Sequence, residues 1–207
     1  MGLFKRYINQ TRKPAGALGK LMLRGMNRGH AKLADWGLTQ LPDLAPAEIL
    51  ELGCGGGRNA GVLLQTYPTA RVTAVDYSAL SVEQTQVFNR DAVQSGRCVV
   101  RQRDVSDLRM KAETFDLATA FETIYFWPGL EVCFREAAGV LKTGGTFLIV
   151  NESDGSDASS KRFEQIIDGM RIYTPAEIEE ALRAAGFSAA ETRRHPVKPW
   201  IAVLAHK

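Results

Sequence analysis

The sequence predicts an α/β fold built on a doubly wound, mostly parallel sheet, and three observations predict it. Strand-like and helix-like runs alternate along most of the 207 residues. An apolar run, Ile49-Leu-Glu-Leu52, ends in the glycine-rich turn Gly53-Cys-Gly-Gly-Gly57 and passes into a helix-like segment. A second, β-branched run closes on an acid, Asp76, 23 residues after Gly53. Strands separated by helices need crossover connections, which give parallel pairing with helices on both faces. Ligands of such sheets sit beyond the carboxyl ends of the strands.

The elements follow in order. Residues 1–44 form a basic helical cap or lid: Leu18, Leu21, Met22, Met26 and Leu33 recur near helical spacing, with Trp36 beyond, so one side is apolar and packs on the core. Pro14-Ala-Gly-Ala-Leu-Gly19 reads as a hinge between two helical pieces. The main domain, 45–207, carries strands near 48–52, 71–76, 98–103, 115–121 and 145–151, alternating with helices near 58–66, 79–94 and 129–140. Asn151 to Ser160 is a polar loop, and 161–170 a short helix. Thr174-Pro-Ala-Glu177 is a helix start, with a Thr cap, Pro at the first helical position and Glu at capping-box spacing, and Gly186 stops that helix. Two final strands lie near 187–194 and 199–206.

Composition bounds the class. With 45% hydrophobic and 24% charged residues the chain is long enough for one domain with a proper core and too balanced to be disordered. No apolar run approaches the roughly 18 residues that cross a bilayer, and Met1 to Arg6 lacks a secretory pattern, so the expected location is cytoplasmic. Cys54, Cys98 and Cys133 are odd in number and lack C-x-x-C spacing, so they are read as reduced packing residues and no metal site is expected. Charge is uneven: the first 34 residues carry eight Lys and Arg and no acid, against a net charge of +3 for the whole. That segment is a solvated basic face, a lid, or a surface for nucleic acid or membrane.

The turn suits a polar ligand approaching bare backbone, followed by the unpaired N–H groups of a helix start. A dinucleotide fingerprint needs a small residue where Arg58 stands, and a phosphate-binding P-loop needs Gly-Lys-Ser/Thr; neither is present. Asp76, closing the second strand, is placed to accept both hydroxyls of a ribose.

Ile49 to Gly57 resembles motif I of the class I S-adenosylmethionine-dependent methyltransferases, (V/I)-L-(D/E)-x-G-x-G-x-G. Asp76, Asp104, Phe115–Phe121 and the Gly144-Gly145 turn into the next strand extend the likeness over about residues 45–207. The resemblance implies the strand order 3-2-1-4-5-7-6 with the last strand antiparallel, and S-adenosylmethionine as cofactor. It implies a cofactor site of Glu51, Gly53, Cys54, Gly55, Gly57, Asp76, Tyr77, Asp104, Val105 and Phe121, with Asp104 reading the adenine amino group and Val105 against the ring.

It also places Phe121-Glu-Thr-Ile-Tyr-Phe-Trp-Pro128 beside the transferable methyl. The Asp/Asn-Pro-Pro-Tyr/Phe pattern of adenine or amide N-methylation is absent, so a small-molecule acceptor is expected. Phe126, Trp127 and Asn151 are the candidate acceptor contacts, because aromatic faces hold cations and apolar bodies alike. Glu122, Tyr125 and His30 are the candidate bases. The alternatives are an RNA or protein methyltransferase gripping its polymer with the basic N-terminal helix, and a cofactor-binding protein without turnover.

Overall fold

The structure, a computed structural model, describes residues 3–156 and 158–207; Asp157 of the expected polar loop lies outside the described residues. Seven strands form one sheet: β1 Glu48–Leu52, β2 Arg71–Asp76, β3 Cys98–Gln102, β4 Phe115–Phe121, β5 Leu141–Asn151, β6 Ala189–Arg194 and β7 Ile201–His206. Their order is β3-β2-β1-β4-β5-β7-β6, as the resemblance implies. Pairings from β3 through β5 are parallel, and β7 runs antiparallel to both β5 and β6. The order reverses between β1 and β4, which opens a crevice at the carboxyl ends of these two strands.

Both faces of the sheet are buried, which is why its central strands read as nearly continuous apolar runs. Leu50, Ala118, Ala120, Phe147, Ile149 and Val203 turn to one side, where α7 (Leu130–Val140) and α9 (Pro175–Ala184) pack together. Leu148, Val150 and Leu204 turn to the other, against Leu33 and Ala34 of α3 (Ala31–Leu38). The Thr174 capping box at the start of α9 is complete: the hydroxyl accepts from the Glu177 amide and the Glu177 carboxylate accepts from the Thr174 amide.

Three expectations are corrected. The helix expected over 79–94 is two, α5 (Ala79–Phe88) and α6 (Arg90–Gln94). The break falls at Asn89, whose side-chain amide donates to Gly57 O at 2.9 Å and Thr85 O at 3.1 Å and so locks the turn after β1 to α5. The hinge expected at 14–19 falls at 12–15, between a short α1 (Leu3–Ile8) with its 3-10 turn Asn9–Thr11 and α2 (Gly16–Gly29). A second break, at His30, separates α2 from α3. Finally β5 starts at Leu141, paired with Phe115, and shifts register before continuing at Thr146. The remaining helices are α4 (Arg58–Thr66) and α8 (Ala158–Ile166). Among the described residues no helix is long and apolar enough to cross a membrane.

Candidate active site

β1 ends in a turn that is held from several sides. The amides of Gly53 and Cys54 both donate to Val75 O, that of Gly57 donates to Cys54 O, and that of Gly55 donates to Asp76 Oδ2 at 3.0 Å. These donors are engaged within the protein, so the turn offers a ligand its shape more than its amides. Gly53 adopts φ +79°, and a Cβ there would stand 2.2 Å from Thr123 Oγ1, so only glycine fits. A Cβ on Gly55 would meet nothing closer than Leu23 at 3.9 Å; it would project into open cavity, the space a ligand takes.

Asp76 ends β2 beside this turn. Its Oδ1 accepts from the Ser78 amide at 2.8 Å, and burial raises its pKa against these hydrogen bonds. A buried carboxylate with two further lone-pair directions beside a cleft matches a vicinal diol. Asp104 follows β3; its Oδ1 accepts from Ser106, and Val105 beside it is buried. Tyr77 donates its hydroxyl to Arg12 O, with the Lys13 ammonium 5.3 Å from its ring.

All these groups face one cavity of about 710 Å³, within the roughly 300–1,000 Å³ of small-molecule sites. His30, Gly53, Cys54, Gly55, Asp76, Tyr77, Asp104, Val105, Phe121, Glu122, Tyr125, Phe126 and Trp127 line it, as the sequence leads one to expect. Three expected residues do not. Glu51 is 1% exposed beneath the turn, where it accepts from the Thr119 hydroxyl. Gly57 serves packing, because a Cβ there would lie 2.7 Å from Thr85 Cα. Asn151 is fully buried, one position short of the residue that reaches the cavity, Glu152.

Two segments roof the cavity. Tyr7, Ile8, Thr11 and Arg12 come down over the cavity from the N-terminal segment, and Phe163, Ile167 and Met170 from α8 and the turn after it. The two are latched at Asp168, which receives Lys5 Nζ at 3.1 Å and Asn9 Nδ2 at 2.8 Å and returns its own amide to Asn9 Oδ1 at 3.0 Å. Lys20 pairs with Glu83. Several basic residues of this segment thus have partners within the chain. The sequence offered apolar residues at helical spacing, a hinge and uneven charge as signals of a cap or lid in the first segment, and none of these gives the latch at Asp168.

At the acceptor end, Glu122 follows β4 with φ +58°, a left-handed backbone that non-glycine residues rarely adopt. Its amide donates to Val150 O at 2.9 Å, and its carboxyl oxygen accepts from the Glu152 amide and, at 3.2 Å, from the Tyr125 hydroxyl. Burial pushes Glu122 up to about 8, with the Glu152 charge adding to the shift. The Tyr125 hydroxyl, also buried, is pushed well above its ordinary value and holds its proton. His30 stands at the break between α2 and α3 with Nε2 3.6 Å from Glu152 Oε2; burial lowers its pKa, opposed by the Glu152 charge. Imidazole and carboxylate atoms of His30, Glu122 and Glu152 all lie within 4.8 Å of one another, so the three form a compact titratable trio. Trp127 is part core: its Nε1 donates to Thr123 Oγ1 and its ring packs edge-on to Phe134. The cysteines are free and buried, and Cys54 Sγ accepts from Thr85 Oγ1 at 3.3 Å.

Comparison with known proteins agrees with this geometry. Residues 50–149 match the family model of the methyltransferase domain. The chain is 28% identical over 178 residues to the 27-O-demethylrifamycin SV methyltransferase of Amycolatopsis mediterranei, covering 82% of this chain and 65% of that protein. It is 30% identical over 159 residues to the malonyl-[acyl-carrier protein] O-methyltransferase of Geobacter sulfurreducens, covering 70% and 57%. The chain thus spans less than two thirds of these relatives. Among solved structures, the methyltransferase in complex with the Trm112 activator from Haloferax volcanii superposes with a TM-score of 0.83 over 100% of this chain and 98% of that one, at 18% identity.

Proposed function

We propose that this chain, a member of the class I S-adenosylmethionine-dependent methyltransferases, methylates a hydroxyl group on a small, largely apolar molecule. One observation carries the reading: a single cavity holds the buried Asp76 carboxylate and the glycine turn at one end and His30 amid apolar side chains at the other. The names of the relatives, both O-methyltransferases, support oxygen as the acceptor atom.

The cofactor supplies an electrophilic methyl group on a sulfonium sulfur. Around it Asp76 takes the ribose hydroxyls, and Asp104 and Val105 take the adenine. Ile8, Met26, Phe126 and Phe163 hold the acceptor body and exclude water, so most of the rate comes from alignment. His30, kept neutral near pH 7 by burial, accepts the hydroxyl proton. Burial pushes Glu122 up to about 8, so near pH 7 it holds its proton more firmly than His30 does. Residues 1–44 act as the cap over this chamber.

The test is release of S-adenosylhomocysteine from the protein with S-adenosylmethionine and a panel of lipophilic phenols, hydroxylated macrocycles, fatty acids and structured RNA. Turnover with hydroxylated apolar acceptors is expected. Turnover on RNA alone overturns the small-molecule reading. Tight cofactor binding without any product over the panel overturns the enzymatic one.

A further inference from the structure

His30 sits at a kink of the cap, on no rigid element of the sheet, yet a base must be held in one orientation to work. What holds it comes from β5. Glu152 follows Asn151, the last residue of that strand, and brings Oε2 to 3.6 Å from His30 Nε2. That distance is too long for a hydrogen bond and short enough for electrostatic contact, which the half-exposed Glu152 side chain leaves partly screened by solvent. Glu152 is fixed in turn through its backbone, since its amide donates to the carboxyl oxygen of Glu122, which the Tyr125 hydroxyl also contacts. The Ser153 amide donates to that same hydroxyl at 3.3 Å. β4, β5 and the 3-10 turn Ile124–Phe126 therefore converge on the Glu152 backbone, from which the carboxylate facing the imidazole extends.

We propose that Glu152 is the positioning residue for His30, orienting its ring through Nε2 and stabilising the imidazolium formed when the acceptor gives up its proton. The inference rests on the methyl-transfer reading above. In the step, the acceptor O–H bond breaks and its proton goes to His30. The oxygen forms a bond to the methyl carbon, and the C–S bond breaks with its electron pair left on sulfur as a neutral thioether. One positive charge thus moves from sulfonium to imidazole, towards Glu152. The other titratable groups near His30 in the cavity are Glu122 and Tyr125, and burial raises the pKa of both. Arg58, which also lines the cavity, is paired with Asp35 of α3.

The experiment is an imidazole titration by nitrogen-15 NMR of the protein saturated with S-adenosylhomocysteine, comparing wild type with Glu152→Gln. Only three histidines contribute, and loss of one signal in His30→Gln assigns His30. Glu152→Gln is expected to move the His30 titration to lower pH, because the anion favouring the charged ring is gone. With an acceptor found by the panel, its kcat is expected to fall at least about tenfold, out of the roughly 10²–10⁴-fold a positioned base contributes. KM and S-adenosylhomocysteine affinity stay unchanged, and the acid limb of the pH profile moves down with the imidazole. Superimposable titrations in the two proteins overturn the proposal. So does activity that EDTA abolishes and Mg²⁺ restores, which makes the trio a metal centre. Wild type that binds cofactor but never turns over refutes the methyl-transfer reading and is thereby distinguished from failure of the Glu152 role.

Discussion

Replacing Glu51 by Gln removes a burden that the fold carries at neutral pH. Glu51 lies in the middle of the sheet, 1% exposed, with the Thr119 hydroxyl as its side-chain partner, and burial pushes its pKa from the ordinary 4.5 up to about 8. The folded protein keeps the proton to higher pH than the unfolded chain does, so ionisation favours the unfolded state first. Stability therefore falls as pH climbs from about 4.5 to about 8. At about 1.4 kcal/mol per pKa unit, the loss reaches about 3 kcal/mol by pH 7 and approaches 5 kcal/mol above pH 8. Gln keeps an oxygen for Thr119 and has no proton to lose. Urea unfolding followed by tryptophan fluorescence between pH 5 and 8.5 should show Glu51→Gln gaining roughly 3–4 kcal/mol on wild type across that range. Glu122 titrates in both proteins and cancels from the difference. Parallel stability curves would refute the argument.

Three further outcomes are expected. Asp76→Ala weakens S-adenosylhomocysteine binding by about 1–3 kcal/mol, the scale for an orphaned polar partner; unchanged affinity in calorimetry sinks the placement of the cofactor. Gly53→Ala, which sets a Cβ 2.2 Å from Thr123 Oγ1 on a φ of +79°, costs more than about 1 kcal/mol of stability and also weakens cofactor binding, and adding Thr123→Ala restores only part because the backbone strain remains. Full recovery in the double variant contradicts the strain. Thr174→Ala breaks the capping box of α9, none of whose residues line the cavity, and should cost about 1 kcal/mol in urea unfolding with cofactor affinity unaltered. A matching drop in affinity would show that α9 couples to the site.

The strand order and the convergence of the glycine turn and Asp76 on one cavity were legible because they rest on local chemistry: glycines where the backbone is left-handed or crowded, and an acid where a strand ends. What escaped was decided by parity and by distance. Asn151 and Glu152 are neighbours at the end of β5, and successive residues of a strand point to opposite sides, so the sequence alone could not choose between them. The structure buries Asn151 and turns Glu152 to the cavity. Glu51 sits in a motif that touches the ligand elsewhere, but its own side chain points into the sheet, toward Thr119 in its register partner β4. The helical pattern runs through Asn89 without interruption, and only the Gly57 carbonyl, 32 residues away, explains the break there. The latch of the roof is likewise non-local, since Asn9 and Asp168 meet across 159 residues.

The left-handed backbone of Glu122 bears on how such a pocket changes its chemistry over generations. A residue at φ +58° admits Gly, Asn or Asp readily and excludes Val, Ile and Thr. Position 122 is thus poor ground for variation, and Gly53 beside Thr123 is poorer. Phe126, Phe163 and Met170 have no such restriction, and they come from a turn and from a helix region outside the sheet. A library that randomises those three while leaving 53 and 122 untouched changes the acceptor range without disturbing the fold, and the same division marks where natural drift in specificity is cheapest.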